Sequence, residues 1–195
     1  MKSSRNFLQL IAFLLLCGLS ASAQTAASDA KEFNKDGLSF NYPAGWSFND
    51  TSDADKQQLT FGRADVDAQI TVFVFRTPIK TPEQMAEAKR ILVDKYVSAQ
   101  TASFEQAGAK PQSSPETTDI SNIKADGVII RLSFDGVPGA AKIYWALVAE
   151  RLVVLTFFGP DRALTKATPA WDTIRNTIKI VEPTPEPKPS LKPTQ

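Results

Sequence analysis

The sequence predicts an α+β domain: a central antiparallel β-sheet flanked by helices on both faces, an α/β/α sandwich. Three observations lead there. Short runs of period-two apolar alternation recur over residues 38–75 and 128–158, and a single long helical period lies between them. The last two runs are apolar in both registers, with Ile143, Trp145 and Leu147 alternating against Tyr144, Ala146 and Val148. A strand apolar on both sides needs cover on both sides, and two helical segments are available to supply it.

The elements follow in chain order. Lys2 and Arg5, the apolar run Phe7–Leu16 and the small residues Ala21-Ser22-Ala23 make a secretory signal over residues 1–23, with cleavage expected between Ala23 and Gln24. Gln9 and Gly18 bracket that apolar core, leaving it too short for a membrane anchor. Leu16 before Cys17 favours simple cleavage over lipidation. Residues 24–35 (QTAASDAKEFNK) are small and polar and read as a leader.

The folded domain is expected over residues 36–181. Leu38, Phe40 and Tyr42 alternate, as do Trp46 and Phe48, predicting a first hairpin through Tyr42-Pro43-Ala44-Gly45-Trp46. There Pro43 takes the second turn position and Gly45 takes φ > 0. QQLTFGR (57–63) and AQITVFVF (68–75) are two further strands, with Gly62 and Asp65-Val66-Asp67 at their turn.

Thr81, Pro82 and Gln84 then form a capping box with proline at the first helical position. Met85, Ala88, Leu92, Tyr96 and Ala99 mark the apolar stripe of one helix ending near Gly108, and Glu87, Arg90 and Asp94 its solvated side. A polar segment with Pro111 and Pro115 leads to a strand with Val128, Ile130, Leu132 and Phe134 on one face. A turn at 135–139 opens the hairpin 140–149 and 152–158, with Glu150 and Arg151 at its tip. Thr168 is placed to cap, and Pro169 to open, a second helix carrying Trp171 and Ile174; Ile178 and Ile180 form a closing strand. Prolines 183, 185, 187 and 189 mark residues 182–195 as a disordered, extended tail.

Composition narrows the chemistry. The chain has 22 basic and 21 acidic residues, and removing Lys2 and Arg5 leaves 20 basic side chains against 21 acidic. Phosphate-backbone binding usually needs a basic excess, so nucleic acid is not an expected partner. There is no histidine, and the single cysteine, Cys17, leaves with the signal. The commonest general base, the partner of a nucleophilic serine, and the ligand sets for zinc, haem and iron–sulfur centres are all missing. No cofactor, metal site or catalytic residue is expected, and the mature chain has no disulfide to lean on.

Asp65 and Asp67 could form a carboxylate pair, or a calcium site with Asp119, but this spacing is common and turn solvation is the expected role. The three tryptophans sit in apolar-periodic segments and are expected in the core. Trp46, beside a turn, and Tyr42 keep open a ligand or partner contact.

Phe40, Tyr42, Pro43, Gly45 and Trp46, the run RLVVLTFFGP (151–160) and the ending WDTIRNTIKIV (171–181) together resemble the PsbP-like superfamily, which includes bacterial DcrB-like envelope proteins. The resemblance covers residues 36–181. It implies an exported, non-catalytic accessory domain that binds an envelope protein. Two alternatives stay open: a small-molecule or lipid carrier with an apolar pocket between helix and sheet, and a carboxylate-based hydrolase. After signal cleavage no transmembrane helix is expected, and the location is periplasmic or secreted.

Overall fold

The computed structural model describes residues 30–181, so the signal, the cleavage site at Ala23 and Gln24, and the proline-rich tail lie outside the described residues. The described chain is a mixed α+β fold with two sheets rather than one. The larger has seven strands, in the order β3 (Ser47–Asp50), β4 (Lys56–Arg63), β5 (Val66–Phe75), β9 (Arg151–Pro160), β8 (Val137–Val148), β7 (Ile123–Phe134) and β6 (Gln112–Ile120). Every pairing in it is antiparallel. The smaller sheet joins β1 (Ala30–Lys35), β2 (Leu38–Pro43) and β10 (Lys179–Ile180).

The expected first hairpin is therefore a crossing between sheets. β2 pairs with β10, Lys179 opposite Ser39, whereas β3 pairs with β4, Phe48 opposite Phe61. Alternation and turn residues specify two strands and a reversal; they say nothing of which neighbours the strands choose. The turn itself is present, one position later than expected. The Trp46 amide donates to the Pro43 carbonyl (3.4 Å), which puts Pro43 first and Gly45 third. Gly45 has φ +81°, as the third position of a type II turn requires.

Residues 30–35, expected in the leader, form β1 and bury Phe33 against Phe40, ring centroids 5.1 Å apart. One apolar residue in a polar run carries no period, so only the packing reveals this strand. β6 was likewise unmarked. It is an edge strand, mostly exposed, and so accommodates Pro115 without losing a ladder bond that matters. Gly62 lies in β4 at a bulge between Phe61 and Arg63 rather than in the turn, which falls at Ala64-Asp65. The β8–β9 turn is Ala149-Glu150, both at positive φ, and Arg151 already belongs to β9.

The long helix divides into α1 (Pro82–Ala88), a π-helical turn at Lys89–Asp94, and α2 (Lys95–Gln106). Its start is as expected: Thr81 and Gln84 form the capping box behind Pro82. The π turn holds one more residue than an α turn, so the buried face steps from Ala88 to Val93 and on to Phe104. Ala99 is consequently rotated out to solvent. The same widening brings Lys89 and Asp94, five apart, into an ion pair at 2.6 Å.

The last helix, α3 (Asp161–Thr177), begins directly after Pro160, eight residues before the expected cap. Pro169 lies inside it, and the Thr168 hydroxyl donates to the Leu164 carbonyl instead of capping. Ala163, Leu164, Ala167, Ala170, Trp171 and Ile174 are all buried, and this continuous face outweighs the one ladder bond that proline removes.

The buried residues fall into two clusters. Tyr144, Ala146, Val153, Leu155 and Phe157 pack with Trp171 and the small sheet. Ile143, Trp145, Leu152 and Val154 pack with Ala88, Val93 and Phe104 of the long helical segment. This is the two-register division of β8 and β9 expected from the alternation. Trp46, Trp145 and Trp171 are 4%, 8% and 6% exposed, in the core as expected. Gln57 is buried, and its side-chain amide donates to the Lys35 carbonyl (2.9 Å), which links β4 to β1.

Candidate functional site

The site is built around the π turn. A residue inserted into a helix pushes the turn outward, and here the displaced turn presents Ile91 and Leu92 across from the ends of β4 and β5. Between them lies a cavity of about 320 Å³ with Phe73, Phe75, Tyr96 and Val154 in its walls and Lys56 and Lys95 at its edge. A second cavity of about 750 Å³ continues from it, sharing Lys56, Phe75, Ile91 and Leu92 and extending past Pro78 and Ile79. Together they form one apolar cleft.

Fixed backbone contacts hold the walls in place. The Asp53 carboxylate accepts from the amides of Asp55 and Lys56 (both 2.9 Å), closing the loop at one rim. The Arg76 amide donates to the Asp55 carbonyl (2.8 Å), and the Ile79 amide donates to the carbonyl of Glu150 (2.7 Å). The strand end, the rim loop and the β8–β9 turn are thereby tied together. On the helical side, Phe73 packs edge-on to Tyr96 with centroids 5.3 Å apart, and the Thr156 hydroxyl donates to the Tyr96 hydroxyl (3.3 Å).

The charges are asymmetric. Asp53, Asp55, Glu83 and Glu87 line only the larger cavity, Lys95 lines only the smaller, and Lys56 lines both. Backbone amides of Lys56 and Asp55 hold the Asp53 carboxyl below the usual range. The Glu83 carboxyl is lowered by its own backbone amide and by Thr81, and that of Glu87 by Arg90, 2.6 Å away. Burial pushes the Tyr96 phenol up. These shifts leave the three acids ionised and the phenol neutral at physiological pH.

The carboxylates weighed from the sequence lie elsewhere. Asp65 pairs with Arg63 at 2.6 Å, which lowers its carboxyl. No group of three histidine, cysteine, aspartate or glutamate residues able to hold a metal ion occurs among the described residues. Trp46 lies under the Arg63 guanidinium, 5.9 Å from the ring centroid, and Tyr42 packs against Phe48 and Phe61. Neither lines the cleft. Of the residues that do, Ala88, Leu92 and Tyr96 were read as the apolar stripe of the helix and Phe73 and Phe75 as strand, none of them as a cleft. The step of four from Ala88 to Leu92 fits an unbroken α-helix, so no spacing in the sequence marked the opening there.

No protein-family model matches this chain, and no curated protein does. Solved structures do match. The chain is similar to the solution structure of cyanobacterial PsbP (CyanoP) from Synechocystis sp. PCC 6803, at 14% identity and a TM-score of 0.49, over 84% of this chain and 99% of that one. It is similar to a crystal structure from Bacteroides thetaiotaomicron VPI-5482, at 14% identity and a TM-score of 0.50, over 78% of this chain and 49% of the other. It therefore spans about half of that protein. A Pseudomonas aeruginosa protein of unknown function matches at 13% identity and a TM-score of 0.34, over 80% of this chain and 99% of that one. The likeness is one of fold.

Proposed function

We propose that this protein is an exported, non-catalytic accessory domain of the bacterial envelope that works by binding, and that the cleft at the π turn is its binding surface. One observation carries the proposal: two adjoining, mainly apolar cavities, about 320 and 750 Å³, open beside a displaced helical turn, with aromatic and aliphatic side chains in both and charged residues among the lining. The volumes suit a small molecule, and so favour the carrier version. The lack of histidine and of a mature cysteine supports a role without catalysis. Helices on both faces of the seven-stranded sheet are part of this proposal, supported by the two separate core clusters.

A neutral apolar dye such as Nile red tests the proposal directly. The mature chain should enhance its fluorescence, and Leu92→Asp, which puts a charge into the wall shared by both cavities, should remove the enhancement while the fold survives by circular dichroism. Equal dye response in both proteins would place the binding elsewhere.

A protein partner is the second reading. It is favoured by Phe48, 37% exposed on the edge strand β3, with half-buried Tyr42 beside it, ring centroids 5.9 Å apart. Phe48→Ser should then weaken capture of an envelope partner by the tagged protein, and unchanged capture would count against this surface.

A further inference from the structure

We propose that the cleft takes a single-chain aliphatic carboxylate, its head held by Lys56 and Lys95 and its chain laid over Phe75, Ile91 and Leu92. This rests on the cleft being a binding site, and it commits that site to one ligand class. The smaller cavity has Lys95 and the shared Lys56 in an otherwise apolar wall and no acid, while all four acidic residues of the cleft line the larger cavity, where Lys56 also reaches. An anionic head is therefore drawn to the lysine end and repelled from the other.

Both lysines have charge to give. Lys95 forms no ion pair among the described residues. Its field does reach Glu87, but the ion-pair partner of Glu87 is Arg90. Lys56 makes a long contact of 3.4 Å with Asp53, whose carboxylate is already engaged by two backbone amides. The cavity beside these lysines has room for a head group, and the shared wall leads on to Pro78 and Ile79. A chain lying there would cover Ile91, which is 37% exposed. Phe75, Pro78, Ile79, Ile91 and Leu92 supply the apolar part of the larger cavity for the chain. A quaternary ammonium head would find the opposite pattern at the lysine end.

Isothermal titration of the mature full chain with decanoate, 1-decanol and decyltrimethylammonium tests this. Decanoate should bind on the order of tenfold more tightly than decanol, the scale of one charge-assisted contact, and the ammonium, repelled at the lysine end and attracted by the acids of the larger cavity, should not lose affinity when the lysines are replaced. Lys56→Gln and Lys95→Gln should each reduce the decanoate advantage and leave decanol affinity unchanged. Equal affinities for decanoate and decanol, or an advantage that survives in the double variant, would overturn the carboxylate assignment while leaving an apolar site in place. Binding of none of the three would overturn the binding site itself.

Discussion

Gly127→Ala puts one methyl group where the packing leaves no space. Gly127 faces Tyr144 across the β7–β8 ladder, and a Cβ there would lie 2.2 Å from Tyr144 Cδ1 and 2.8 Å from the Ile143 carbonyl oxygen. A flexible side chain could swing away from such a contact. Tyr144 cannot easily do so: it is 4% exposed, its hydroxyl donates to Glu116, and its ring packs 5.8 Å from that of Trp171. The carbonyl contact is backbone, so the strand itself must also shift. Overpacking of this kind costs about 1–3 kcal/mol, or about 2–12 °C in Tm for a domain of this size.

Thermal unfolding followed by circular dichroism reads that loss. Gly62→Ala is the control, because a Cβ at Gly62 meets nothing within 4 Å and its backbone is not in the left-handed region. It should stay within about 0.5–1 kcal/mol of the parent. If Gly127→Ala melts with the parent, or the two alanine variants lose the same amount, the close approach of Tyr144 to Gly127 is not a constraint on the fold.

Three further outcomes are expected. Gly45→Val should destabilise by about 1–2 kcal/mol through backbone strain alone, since φ is +81° and the nearest atom to a Cβ is Arg63 Cδ at 3.8 Å; an unchanged Tm would refute the positive φ. The Asp50 carboxyl, which accepts from Lys35 at 2.8 Å and from Ser52, is lowered to about 2, so it contributes stability above its unfolded value near 4 and loses it between about pH 4 and 2. Asp50→Asn should flatten the fall in Tm across that window, and an unaltered acid slope would contradict the assignment. Intact-mass measurement of the exported protein should give a chain beginning at Gln24; a mass that retains the first 23 residues would exclude the cleavage proposed.

Much of the architecture was legible because it rests on period. β4, β5, β7, β8 and β9 follow apolar alternation, and the two apolar registers of β8 and β9 are divided between the two core clusters. The capping box at Thr81 and Gln84 is local chemistry and was readable for that reason. What escaped had no such signature. Phe33 is one apolar residue in a polar run, and its strand exists because Phe40 and Phe48 pack on it. Pro169 suggests a helix start by local preference, yet the helix passes through it because the buried face is continuous from Ala163 to Ile174. The cleft was legible only as a class, a pocket between helix and sheet, and its residues were not.

By itself the sequence determined the central strands β4, β5, β7, β8 and β9, the capped start of the long helix, the reversal at Gly45, the core positions of the tryptophans and the absence of histidine chemistry, since each depends on residues near one another in the chain or on composition. The tertiary structure alone decided that β2 and β3 part into different sheets, that the long helix opens at Lys89–Asp94, and that Lys56 and Lys95 line the same cavity of an apolar cleft. Those facts turn on contacts between residues far apart in the chain. Alternation is blind to partner choice, and a wide helical turn is held by what packs against it.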